Sequence, residues 1–208
     1  GKELEFLLTS DEEVGLIGAS ALGFELSSKY MLNLDSEDEA EVYIGCAGGA
    51  DITGFIKDTY TKGVGKCYEV SVKNLVGGHS GVDIDKGIPS AIKVLAKYLE
   101  DKNITQLASI YAGERANSIP ANAVAIIRSQ TELADRDMVI VRELKETPDV
   151  LTHGDWVLEF IARFEHGVLS NNSKLGIPDT SINLAIIGSD ERGGITIQTS
   201  ARAMNMES

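Results

Sequence analysis

The chain has 208 residues, 43% of them hydrophobic and 25% charged, the ordinary make-up of one large or two modest globular domains rather than of a disordered segment. Its 19 Lys and Arg stand against 32 Asp and Glu, a net charge of -13, so a phosphate backbone or an anionic membrane surface would repel it, and neither nucleic acid nor membrane is an expected partner. Cys46 and Cys67 make neither a disulfide framework nor a zinc knuckle, and no run approaches the ~20 apolar residues of a membrane span, so a reducing, cytoplasmic setting is expected.

The chain opens Gly1-Lys2, without Met, and runs at once into apolar residues, which reads as a cut inside a larger protein. Residues 3–8 are expected as a buried strand, 15–24 as a small-residue helix and 31–34 as a second short strand. Strand, helix, strand in that order argues for parallel pairing, where working residues gather at the carboxyl ends of strands. Another strand is expected over 41–46, closed by a Gly48-Gly49 turn. From about residue 50 the character shifts. Residues 67–72 alternate as a half-buried strand should, Gly77-Gly78-His79-Ser80-Gly81 makes a flexible turn, and 88–99 reads as a helix. Strands over 104–111 and 121–128 are joined through Asn117-Ser118-Ile119-Pro120. A helical stretch follows from about 133 to 164, interrupted near Pro148. Two closing strands, 181–187 and 195–201, flank the turn 189–194. This second part suits an antiparallel sheet with helices on one face.

Glu12-Glu13 lies just after the first apolar run and Asp35 after the second. Adjacent carboxylates at strand ends suit a metal hydrolase, one ligating zinc while its neighbour takes a proton from the attacking water. The same residues also read blandly, Ser10 and Glu13 as a capping box and Asp35 as a turn residue. His79, between glycines, projects from a backbone able to approach a ligand closely, or is a surface turn histidine. Asn117 orders a turn or meets a ligand. Arg202, at the end of the last strand, is a carboxylate clamp or an exposed charge. His153 and His166 have no partner at metal-ligand spacing and are expected to be structural or exposed.

Taken together, Leu7–Gly15, Leu32–Glu37, Tyr43–Gly49, Gly77–Gly81, Asn117–Pro120 and Thr180–Ala185 resemble, in order, segments of the cytosolic aminoacyl-histidine dipeptidases. These are bacterial relatives of carnosinase in the di-zinc aminopeptidase, carboxypeptidase and aminoacylase superfamily. The resemblance implies an α/β fragment of a di-zinc catalytic domain over residues 1–48, an inserted α+β lid and dimerisation domain over 49–204, and a return to the catalytic domain at 205–208. It further implies Glu12 as general base, Glu13 and Asp35 as ligands of the two zinc ions, and His79, Asn117 and Arg202 as lid residues that reach a small peptide substrate. His79 would enter the partner subunit's site in a homodimer. The family's upstream His-x-Asp pair, bridging Asp and late His ligand have no counterpart here, so these residues alone are expected to be inactive and to retain zinc poorly. Where relatives carry a charged pair after the Asn-x-Ile-Pro segment, this chain has Ala121-Asn122, and Ala203 replaces the Ser that often follows the arginine. The implied activity is hydrolysis of dipeptides, Xaa-His among them. Rival readings are another amide hydrolase of the superfamily (an aminoacylase, deacylase or tripeptidase) and a catalytically dead dimerisation module.

Overall fold

A computed structural model describes residues 4–12, 15–32, 39–40, 42 and 46–204. The chain divides into two compact units, Gly1–Ile44 and Gly45–Ser208.

In the first unit the expected parallel strands are not found among the described residues. Residues 4–8 form no strand, and Leu4, Phe6 and Leu8 lie open to solvent. A parallel strand needs neighbours and cover on both faces, and the described part of this unit supplies neither. The helix expected over 15–24 shrinks to α1 (Ile17–Ser20), whose N-cap is Leu16 in a left-handed conformation with no side-chain cap. Ser10 is not the N-cap of α1, and its hydroxyl donates to the adjacent Asp11 carboxylate at 3.2 Å; Glu13, the other half of the expected capping box, lies outside the described residues. Met31 and Leu32 carry no strand, and the rest of 31–34, with most of 41–46, lies outside the described residues.

The second unit is built on an antiparallel sheet. Its strands are β1 (Gly48–Lys57), β3 (Lys66–Val72), β5 (Gln106–Ala112), β7 (Ala123–Ser129), β8 (Val139–Leu144), β10 (Gly167–Asn172), β11 (Ile177–Ser189) and β12 (Gly194–Ala203). They run in the order β1-β12-β11-β5-β7-β3-β8, with β10 also paired to β11. Short pairs join β2 (Tyr60–Thr61) to β9 (Val150–Leu151), and β4 (Gly78–His79) to β6 (Ser118–Ile119). The helices are α2 (Ala91–Asp101) and α3 (Gly154–Arg163).

Register decides which side chains meet the helices. Tyr68, Val70 and Val72 on β3 stand opposite Ile127, Ala125 and Ala123 on β7, and all six are buried. Irregularities at Leu107/Ser109 on β5 and Leu184/Ile186 on β11 shift the alternation by one residue, so Leu107 and Ile110, like Leu184 and Ile187, share one face despite their three-residue spacing. Against that face pack Ile92, Leu95, Leu99, Val157 and Ile161 from the two helices. The Lys93 ammonium ties them together by donating to the carbonyls of Ile161, Ala162 and Phe164 at the end of α3, where unpaired carbonyls need a donor. Helices on one face of an antiparallel sheet are as expected.

Two local expectations are corrected. Residues 133–153 are not helical, since Val139-Ile140-Val141 carries the two-residue alternation of a strand and β8 pairs with β3 throughout. Gly48-Gly49 is no turn, because both residues pair with Ala203 and Arg202 as the first residues of β1. The β10 strand adds an element to a segment in which the sequence pattern marks none. Among the described residues no helix is long and apolar enough to cross a membrane.

Candidate functional site

The site is assembled from two loops and the β11–β12 hairpin, all within the second unit. In the hairpin Ser181 pairs with Arg202 and Asn183 with Ser200, so these four side chains point to the face opposite Leu184, Ile197 and the helices.

One loop carries His79. Its backbone N–H donates to the Asp83 carboxylate at 2.7 Å, and the same carboxylate accepts from Lys86. The Lys86 ammonium first, and the His79 amide second, hold the Asp83 carboxyl below its ordinary value, so the brace is ionised at neutral pH. The imidazole is exposed, and its Nδ1 accepts the Gly81 N–H at 3.1 Å. In a neutral ring the proton then sits on Nε2, which faces outward as a donor.

The other loop carries Asn117, also exposed. Gly113 begins it with φ +78°, and a Cβ there would lie 1.7 Å from the Ala185 carbonyl oxygen, so only glycine lets the loop approach β11 this closely. The two loops are joined backbone to backbone: His79 pairs with Ser118, and the Ser80 N–H donates to the Asn117 carbonyl at 2.8 Å.

Arg202 closes the site. A Cβ on Gly81 would stand 2.8 Å from its Cζ and 3.0 Å from Nε and Nη2, so the guanidinium lies directly against the His79 loop. Gly81→Ala is expected to displace it and to lower stability by about 1–3 kcal/mol, as urea unfolding would show. Unchanged stability would contradict the packing.

Five buried side-chain atoms among the described residues lack a hydrogen-bond partner, and three of them, Ser80 Oγ, Asn183 Oδ1 and Arg202 Nε, belong to this site. A buried polar atom without a partner costs about 1–3 kcal/mol, so the three atoms set this part of the sheet apart from the apolar core. Of the residues expected to reach a substrate, His79 and Asn117 lie on loops joined by their backbones, and Arg202 lies against the His79 loop. Ser80, Gly81 and Asn183, which residue type alone does not single out, adjoin them. The signal for Asn183 was an amide set in the apolar run Ile182–Ala185.

Glu12 lies in the first unit, where its carbonyl accepts the N–H groups of Gly15 and Leu16 at 3.1 and 3.0 Å. Glu13 and Asp35 lie outside the described residues. Among the described residues no group of three or more His, Cys, Asp or Glu stands together to hold a metal.

His153 and His166 take structural positions. The His153 N–H donates to Asp58, and its ring Nδ1 stands 3.0 Å from the same carboxylate. His166 Nδ1 accepts the Leu184 N–H at 3.2 Å, and burial, with the Lys93 charge second, pushes the imidazole down to about 4 from 6.5. Between those two values the unfolded chain binds more protons than the folded one, so stability is full above pH 6.5, falls as pH drops toward 4 and is flat below it. The loss is expected to be on the order of 2 kcal/mol, allowing for partial solvent contact. Urea unfolding of the wild type and His166→Gln across this range should show a shallower acid slope in the variant; equal slopes would contradict the assignment.

An imidazole, an amide and a guanidinium on adjoining segments have donor chemistry suited to an anionic group. Comparison with known proteins gives that chemistry a particular setting. The chain is homologous to the cytosol non-specific dipeptidase of Escherichia coli (strain K12), with 29% identity over 217 residues that cover 88% of this chain and 44% of that protein. It also matches the crystal structure of aminoacylhistidine dipeptidase from Vibrio alginolyticus with a TM-score of 0.74 and 26% identity, over 96% of this chain and 47% of that one. The chain thus spans about half the length of the relatives it matches. No protein-family model matches it.

Proposed function

We propose that the chain is part of a zinc-dependent dipeptidase acting on dipeptides, Xaa-His among them, and that residues 49–204 form its lid and dimerisation domain. The observation that carries this reading is the convergence of Arg202, Asn117 and the His79 loop on one polar site, and the likeness to two dipeptidases supports it. Arg202 and Asn117 hold the carboxylate of the substrate, which makes a free C-terminus at short distance part of the specificity. His79 Nε2–H donates to the oxyanion of the tetrahedral intermediate. Glu12 accepts a proton from the attacking water and passes it to the leaving amine. Glu13 and Asp35 have donor chemistry suited to zinc but fall short of the three protein ligands a catalytic ion commonly has, so further ligands are required from the rest of the protein. When bound, zinc supplies Lewis acidity at the water. A cytoplasmic location and a homodimer, in which His79 serves the neighbouring subunit's site, complete the reading.

The test is turnover of the full-length protein on dipeptides, tripeptides and N-acylated amino acids, with its metal content. Dipeptides should be favoured by at least about 10-fold, as expected where a buried charged group must be paired. Preference for acylated amino acids would replace the reading with an aminoacylase, and a metal-free, inert protein would replace it with an assembly module. Mixing His79→Ala subunits with Glu12→Gln subunits should restore activity in the heterodimers. Mixed dimers as inactive as either parent would exclude the cross-subunit role.

A further inference from the structure

We propose that Asn183 is a positioning residue that ties the Asn117 and His79 loops to the strand pair carrying Arg202, an inference that rests on the dipeptide-carboxylate reading of the site only for its consequence on turnover. Asn183 is 1% exposed, in the middle of β11 between Ile182 and Leu184. An amide at such a position is costly unless its hydrogen bonds are made. Its Nδ2 group donates to the carbonyls of Ala116 at 3.2 Å and Ser118 at 2.8 Å, the residues on either side of Asn117. Both donors are thereby used on the loop backbone, which fixes the amide's orientation and turns Oδ1, buried and unpartnered among the described residues, away from those carbonyls.

The hold extends beyond one loop. Ser118 pairs with His79, and the Asn117 carbonyl accepts the Ser80 N–H, so the backbone that Asn183 grips carries the imidazole loop as well. Arg202 lies on the neighbouring strand, on the same face and two residues along the register from the partner of Asn183. One side chain therefore sets the distance between the guanidinium and the other two groups. The residue type follows from the bonds: a carboxylate would repel the two carbonyl oxygens, and an aliphatic side chain would take this donor from both.

The experiment is hydrogen exchange and steady-state kinetics on the full-length protein carrying Asn183→Ala or the isosteric Asn183→Asp, each made so that failure of one to fold leaves the other. Amides of residues 78–81 and 116–119 should exchange at least about 10-fold faster, the equivalent of a lost hydrogen bond, while those of β5 and β7 keep their protection. Unchanged exchange in the two loops, or equal loosening of the whole sheet, would overturn the proposal. In turnover, the Asn117→Ala/Asn183→Ala double variant should be no worse than the poorer single variant, because loss of Asn183 already releases Asn117 together with the His79 loop; additive losses would overturn it. Faster loop exchange in a protein whose wild type cleaves no dipeptide would refute the functional reading and leave the positioning role standing.

Discussion

Glu12→Gln in the full-length protein is expected to lower kcat by about 10²–10⁴-fold with zinc still bound, since the amide keeps the shape of the side chain but cannot take a proton. Glu13→Gln is expected instead to lose metal, because a ligand that gives up its charge binds a cation less tightly. Metal analysis beside kcat separates the two roles. Equal loss of zinc in both variants would show that the neighbouring carboxylates are not divided in this way.

Gly113→Ala is expected to be the most damaging single change in the second unit. A methyl group there would lie 1.7 Å from the Ala185 carbonyl oxygen and 2.8 Å from its carbon, and φ at +78° is strained for any residue with a Cβ. Relief requires the Asn117 loop to lift off β11, breaking the bonds from Asn183 to Ala116 and Ser118. The cost should be about 3 kcal/mol or more, seen as a lower Tm or as protein that does not fold. A variant within about 1 kcal/mol of wild type would mean that the loop is free to move.

The core of the second unit was legible in the sequence because its strands carry an alternation that burial enforces. Tyr68, Val70 and Val72 repeat every second residue, and the period of α2 places Ile92, Leu95 and Leu99 on one side. What escaped was set by pairing between distant residues. Gly48-Gly49 has the composition of a turn, yet its backbone is captured by Ala203 and Arg202, and nothing local signals that partner. Val139-Ile140-Val141 lies within a stretch whose overall pattern suits a helix, yet its β-branched residues favour the strand that forms. In the first unit the apolar run at Leu4–Leu8 promised a buried strand, but hydrophobicity makes a strand only where other elements cover it.

The site divides along the same line. His79, Asn117 and Arg202 stood out by residue type and by their glycine, proline and strand-end settings. Asn183 did not, because its role depends on carbonyls 65 and 67 residues away in sequence. Gly81 reads as flexibility in the sequence and proves to be clearance for a guanidinium. Both belong to the contact geometry, which composition does not encode.

The most direct test of the proposed site compares a dipeptide with its C-terminal amide as substrates of the full-length wild type and of Arg202→Ala. The wild type should favour the free carboxylate by about 10- to 100-fold, the worth of a charge-assisted hydrogen bond, and Arg202→Ala should bring the dipeptide down to the level of the amide while leaving the amide's kcat/KM nearly unchanged. An Arg202→Ala variant that loses the same factor on both substrates would contradict a carboxylate-binding role for the site.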